Sequence, residues 1–395
     1  MSNISMLWRD AKVRAIASQV LVAGLVLFLL YYLTGNAITN LEKLGIQYGF
    51  AFLGNLAGYD ISFSLLPFDF TTSTHLDALK IGVLNTLLVS AMSIVLATVL
   101  GFAFGLMRLS HNVLVAGFAS AFIEVERNVP LLLHILFWFF GVWVALPNVR
   151  QGAEITAFNP LGLDVMYIHN RGINLPSVSF DGKGWLLVLA LVLVIVGIAL
   201  VRRHAKRLKN RTGQEFPTLW VSLGIAVVLP VLIYVLGGVK ATWDLPVAGR
   251  FNFSGGVEVI GSLFALWIAL SLYAAAFIAE NVRAGILSVN KGQIEAAQAL
   301  GLRPGKITNK IVVPQAMRVI VPPVTNHYLN LVKNSSLAIA VGYPEVVNVF
   351  VGSTLNLTGQ SVEVILLTMS VYLVISLTIS LFMNIYNRRT ALEER

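Results

Sequence analysis

The sequence contains no cysteine, which excludes disulfides, thiolate metal sites and cysteine nucleophiles. Charge is scarce as well. Only 12% of the residues are Asp, Glu, Lys or Arg, and a soluble protein carries about twice that share. The histidines at 75, 111, 134, 169, 204 and 327 are scattered without an H-x-x-x-H pair, so their spacing does not suggest a metal site. A P-loop is missing. The nearest text, Gly301-Leu302-Arg303-Pro304-Gly305-Lys306-Ile307, is one residue short between its glycines and has Ile307 where Ser or Thr should hold magnesium. There is no G-x-S-x-G elbow for hydrolysis.

Apolar residues are abundant. Of 395 residues, 57% are hydrophobic, and the mean hydropathy is +0.79. The chain reads as an all-α, polytopic membrane protein, and its net charge of +9 reads as loop placement, not as nucleic-acid binding. A bilayer crossing needs about 20 apolar residues. Eight runs qualify: 15–34, 80–107, 113–146, 184–201, 218–237, 257–282, 316–337 and 361–386. The first has no A-x-A cleavage site and reads as a retained span.

The basic clusters fall on one face of the alternating topology. Arg9, Lys12 and Arg14 precede the first span, and Arg108 and His111 follow the second. Arg202, Arg203, Lys206, Arg207, Lys209 and Arg211 follow the fourth, and Arg388 and Arg389 follow the eighth. The positive-inside rule makes that face, with both termini, cytoplasmic. The run at 202–211 reads as a solvated juxtamembrane anchor in contact with anionic membrane lipid. On the other face, 35–74 carries Phe50, Phe52, Tyr59, Phe63, Phe68 and Phe70 and is expected along the membrane surface. The polar stretch 148–181 is too long for a simple turn.

Between the sixth and seventh spans lies a polar, basic element, Glu295 to Pro314. Gln293 to Leu300 is Ala-rich and favours helix, with Glu295 able to anchor its start. Gly301 stands where a left-handed helix end is expected. Arg303-Pro304-Gly305 should turn the chain, and Lys306 to Val313 should form a second short helix stopped by Pro314.

Polar groups inside the spans mark candidate sites. Asn85 and Thr86 can be satisfied either by interhelical bonding or by a water-lined path. Gly101 and Gly105 have the spacing that lets helices approach closely. Glu124-Val125-Glu126-Arg127-Asn128-Val129-Pro130 places three charges and a proline in an apolar run, which calls for a break or kink at Pro130. Those charges can equally pair with one another. Glu280 and Arg283 share a helical face at i,i+3, so a salt bridge competes with any substrate role. Asn326, His327 and Tyr328 follow in the seventh span, before Lys333-Asn334-Ser335-Ser336.

Glu295-Ala296-Ala297, three residues, Gly301, nine residues, then Ile311-x-Val313-Pro314 resembles the EAA loop of ABC importer permeases, with Val313 for the usual Leu. Arg127 to His134 resembles the R-G-T-P-L-L-x-Q element of the amino-acid branch, with Asn128, Val129 and His134 departing from it. Tyr273 to Gln293 and Lys333 to Leu337 resemble two further elements of that branch.

The resemblance implies a type I permease core of five spans, at 80–146 and 257–395. A terminal span (1–79) and a 147–256 insertion with two further spans would enlarge it. It implies a permease subunit of an ABC importer for L-amino acids in the bacterial inner membrane, similar to general L-amino-acid and glutamate/glutamine/aspartate systems. Expected partners are a paralogous permease forming a heterodimer, two cytoplasmic ATPase subunits and a periplasmic amino-acid-binding protein. ATP and magnesium would sit on the ATPases, and this chain would bind no cofactor and catalyse nothing. Glu295, Ala296, Ala297, Gly301, Ile311 and Pro314 would couple it to the ATPase. Asn85, Thr86, Tyr273, Glu280, Lys333, Asn334, Ser335 and Ser336 are the substrate candidates, with Arg127 and Pro130 at a gate or helix break. An ion- or proton-coupled secondary transporter is the alternative, and it would need no docking loop.

Overall fold

The computed structural model describes residues 11–43, 49–149, 156–158, 165–214, 216–249 and 252–390. Arg9 lies outside them. The chain forms two compact units, Met1–Gly141 with Ser262–Arg395, and Val142–Gly261.

Among the described residues, six helices are long and apolar enough to cross a membrane. They are α1 (Ala11–Lys43), α2 (His75–Met107), α5 (Trp185–Thr212), α6 (Thr218–Leu236), α7 (Gly261–Leu287) and α11 (Ser361–Thr390). α3 (Val113–Asn128) and the Leu131–Trp143 helical stretch, which opens with α4 (Leu131–Leu136), are together apolar enough for a further crossing and meet at 105°. The remaining span of the sequence reading is α10 (Val313–Asn334), whose 22 residues reach about 33 Å at 1.5 Å per residue. It is long enough to cross, but too polar to pass on apolarity alone.

In the first unit, α2 begins in a capping box. The Asp77 amide donates to Thr74 Oγ1 at 3.3 Å, and the Thr74 amide donates to Asp77 Oδ2 at 3.1 Å. Such caps are worth about 1 kcal/mol. Further along, α2 presses on α7 where it has no side chains: a Cβ at Gly101 would sit 2.5 Å from Ile278, and one at Gly105 would sit 2.8 Å from the Ala279 carbonyl. Ala97, Ile278, Val282, Ile320 and Leu331 form the core of α2, α7 and α10. A second cluster joins Phe52, Ile61 and Ile81 to Val349, Phe350 and Val364. Residues 49–74 therefore fold onto protein: Phe52 and Ile61 are buried, although Phe50 and Phe70 stay exposed.

Between α10 and α11 the chain makes a 3-10 turn (Ser335–Val341), a left-handed Gly342 and a π-helical stretch (Val347–Thr354). Glu345 is fully buried here and accepts from the Val347 and Asn348 amides, both at 2.9 Å, and from the Tyr372 hydroxyl at 2.8 Å.

The described residues of the second unit contain α5, α6 and eight short strands. These are β1 (Thr156–Phe158), β2 (Met166–His169), β3 (Gly172–Leu175), β4 (Ser177–Phe180), β5 (Ala241–Asp244), β6 (Val247–Ala248), β7 (Phe253–Ser254) and β8 (Val257–Ile260). They pair as β1-β2-β3-β8, β4-β5 and β6-β7. The expected span start at 257 is corrected by β8: Val257-Glu258-Val259-Ile260 pairs with Leu175 to Gly172, and the helix begins at Gly261. β-branched residues next to a span look like its continuation in sequence but suit a strand.

Candidate functional site

The polar element after α7 starts at Asn290, whose side chain accepts from the Gly292 amide at 2.8 Å. This cap, not Glu295, opens α8 (Lys291–Ala299). Gly301 closes the helix end at φ +71°, with its amide donating to Gln298 at 2.9 Å and that of Leu302 to Ala297 at 3.2 Å. α9 (Pro304–Ile307) then runs through a π turn at Thr308–Val312, which contains Ile311, into α10. Pro314 does not stop a helix. It stands inside a helical run that continues from α9 through the π turn into α10, where its missing N–H forgoes one backbone hydrogen bond. Ala297 and Ile307 are buried on the inner side. Glu295, Ala296 and Leu300 face outwards, Leu300 being 80% exposed. Gln315 of α10 bonds to Gln293 of α8, tying the element to its span.

The two helices joined by this element also line a cavity of about 240 Å³. Leu270, Tyr273, Ala274 and Phe277 come from α7, and His327, Asn330, Leu331 and Asn334 from α10. The i, i+3, i+4, i+7 spacing puts each set on one helix face. The lining carries no Asp, Glu, Lys or Arg. Two carboxamides and an imidazole offer both donors and acceptors, while Tyr273 and Phe277, with ring centroids 5.0 Å apart, form an aromatic wall. The Arg127 guanidinium lies 5.5 Å over the Phe277 ring. The volume is below the roughly 300 Å³ of drug-sized ligand sites and suits a small solute.

Of the predicted site residues, this cavity collects Tyr273 and Asn334. Lys333 and Ser336 line a separate groove with Leu366, Tyr372 and Leu373 of α11. Asn85 is fully buried and donates to the carbonyls of Phe63 and Pro344, both at 2.9 Å. Thr86 accepts from the Val346 amide at 3.2 Å, and Ser335 donates to the Val332 carbonyl at 2.7 Å. Bonding to neighbouring protein segments thus takes up the Asn85 amide donors and Thr86, while Asn85 Oδ1 is buried without a hydrogen-bond partner among the described residues. Glu280 is held by Arg283 at 2.6 Å and by Arg108, and Arg108 also lies 3.6 Å from Glu124. Arg127 ends α3, Val129 is extended, and Pro130 caps α4. Sequence reading missed His327 and Asn330 as cavity residues, although their spacing to Asn334 places all three on one face.

The family of binding-protein-dependent transport system inner membrane components matches residues 194–392. The general L-amino acid transport system permease protein AapQ of Rhizobium johnstonii is 44% identical, over 98% of this chain and 94% of that protein. The glutamate/glutamine/aspartate/asparagine transport system permease protein BztB of Rhodobacter capsulatus is 43% identical, over 100% and 97%. Among solved structures, the crystal structure of an amino acid ABC transporter aligns with 80% of this chain and 95% of its own, with a TM-score of 0.47 and 18% identity. The ion- or proton-coupled alternative finds no support in these likenesses. The chain is a multi-pass membrane protein and belongs to the family of inner-membrane components of binding-protein-dependent transport systems.

Proposed function

We propose that this chain is the permease subunit of an ATP-driven importer, carrying L-amino acids delivered by a periplasmic binding protein across a bacterial inner membrane. The observation that carries the reading is connectivity. The exposed element at Lys291–Ile307 is spliced between α7 and α10, the two helices that line the cavity. A partner that moves this element moves both cavity walls. Two cytoplasmic ATPase subunits fit that role, with Glu295, Ala296, Ala297, Gly301, Ile311 and Pro314 forming or supporting the docking element. ATP and magnesium belong to those subunits, and this chain catalyses no reaction.

In the cavity, Asn330 and Asn334 serve the polar ends of the amino acid, and Tyr273 and Phe277 face its side chain. The neutral lining suits the zwitterionic backbone of an amino acid, and the names of the two relatives support amino acids as the class carried. Break residues Arg127 and Pro130 let the α3–α4 crossing bend as the cavity opens. A paralogous permease completes a heterodimer, and both termini are cytoplasmic. Uptake by the reconstituted complex with ATP tests the reading. Asn330→Leu and Asn334→Leu should each raise the half-saturating amino-acid concentration at least tenfold. An unchanged half-saturation in both, with normal insertion, would remove the cavity from the substrate path.

A further inference from the structure

We infer that Glu126 and His134 form a latch across the Pro130 break that sets the aromatic wall of the cavity, making them positioning residues for substrate recognition; the inference rests on that cavity being the substrate site.

The two residues are brought together by the break itself. Glu126 is in the last turn of α3 and His134 near the start of α4, and the extended Val129 and Pro130 between them turn the chain by 105°. His134 Nδ1 then lies 3.2 Å from Glu126 Oε2, with side chains only 8% and 12% exposed. The contact is close but too oblique for a hydrogen bond. Glu126 Oε2 and His134 Nε2 are both buried without a hydrogen-bond partner among the described residues. Buried polar atoms in folded proteins are nearly all paired, so an unpaired atom on each of two touching residues needs a reason. A contact kept only for packing would be met by apolar side chains, which hold such a site without a desolvation cost.

The reason lies on the far side of the imidazole. His134 meets Tyr273 ring to edge at 6.0 Å, and the neighbouring Arg127 covers Phe277 at 5.5 Å. Tyr273 and Phe277 are the two rings of the cavity wall, one helical turn apart. Consecutive residues of the broken span therefore hold consecutive rings of the wall, Arg127 directly and Glu126 through His134. Truncating His134 would leave Tyr273 free to turn into the vacated space and change the shape presented to the substrate. Neither Glu126 nor His134 lines the cavity.

The test is uptake and substrate-stimulated ATP hydrolysis by the reconstituted complex, with glutamine and glutamate as probes and Asn330→Leu as a control on the cavity itself. His134→Ala should raise KM threefold to tenfold while the maximal rate falls less than twofold. His134→Gln keeps a polar group at the same reach and should restore KM to within twofold of wild type. Glu126→Gln should raise KM by itself but add little to His134→Ala, because the latch is already lost. If His134→Ala does not insert, Glu126→Gln decides, and an unchanged KM in it overturns the latch. A fall in maximal rate at constant KM also overturns it, since the break would then act on gating alone. A KM change in Asn330→Leu with none in the latch variants removes the latch and leaves the cavity. No change in Asn330→Leu removes the cavity and the latch together.

Discussion

The Glu280 carboxylate bridges two arginines, Arg283 one turn on along its own helix at 2.6 Å and Arg108 at the end of α2. Glu124 of α3 joins the same cluster through Arg108 at 3.6 Å. Charges from three helices thus meet where α2, α3 and α7 converge, with Arg108, Glu280 and Arg283 partly shielded from solvent and Glu124 exposed. Removing one partner leaves the others incompletely paired. Glu280→Gln should lower the stability of the solubilised protein by about 1–3 kcal/mol. Arg108→Gln should do the same, and the double variant should cost less than the sum of the two. Thermal unfolding in detergent reads this out. A raised KM for the amino acid with unchanged unfolding temperature would instead return Glu280 to the substrate path.

Gly301 sits at φ +71° with no atom within 4 Å of where a Cβ would be. Its replacement is therefore a test of backbone conformation, free of steric side effects. A Val there opposes the left-handed conformation by about 1–2 kcal/mol, and the turn that orients α8 against α9 should be misplaced. Gly301→Val is expected to insert normally but to lose ATP-driven uptake and substrate stimulation of ATP hydrolysis. Gly301→Asn, which tolerates this conformation, should recover most of both. Full coupling in the Val variant would separate the turn from the docking function.

The spans and the polar element were legible because each rests on a strong local signal. Twenty apolar residues must cross a bilayer, and a glycine after an alanine-rich helix has few alternatives. Val257 to Ile260 was not legible, because an apolar run cannot say where strand pairing ends and a span begins; only the partner strand at Gly172–Leu175 decides it. Pro314 does not end its helix because the run from Pro304 continues past it through a π turn, so one missing backbone bond is tolerated where the flanking turns persist. The cavity was half visible. Asn334 and Tyr273 were among the candidates, but Lys333, Ser335 and Ser336 were grouped with Asn334 by sequence adjacency. Helical geometry sends neighbours to different faces, and Lys333 joins the groove against α11 instead.

Topology has its own test. Lys206 lies in the basic end of α5, and Thr242 in β5, on the opposite side of α6 in the sequence reading. A cysteine at Lys206 should react with a membrane-impermeant maleimide only in inverted vesicles, and one at Thr242 only in intact spheroplasts. The native chain has no cysteine, so no background label interferes. Labelling of both from one side would contradict the crossing of α6 and the cytoplasmic placement of the termini.

Glu345 shows why polar groups within this unit need not be functional. Its carboxylate is fully buried and stands at the irregular joint between α10 and α11. It accepts two backbone amides and the Tyr372 hydroxyl, while Tyr343 donates to the Asn85 carbonyl at 3.0 Å and Thr86 takes the Val346 amide. The whole joint is thereby fastened to α2 and α11. Glu345→Ala would strand two amides and a hydroxyl, each at about 1–3 kcal/mol, so it should fail to accumulate in the membrane. Glu345→Gln keeps a carbonyl acceptor for at least one amide and should accumulate at reduced level, with KM unchanged. Thr86→Val, which removes one acceptor, should be milder than Glu345→Ala. Membrane levels by immunoblot, followed by uptake titrations on whatever inserts, separate the outcomes. Normal levels of Glu345→Ala with an altered KM would move this cluster from scaffold to substrate path.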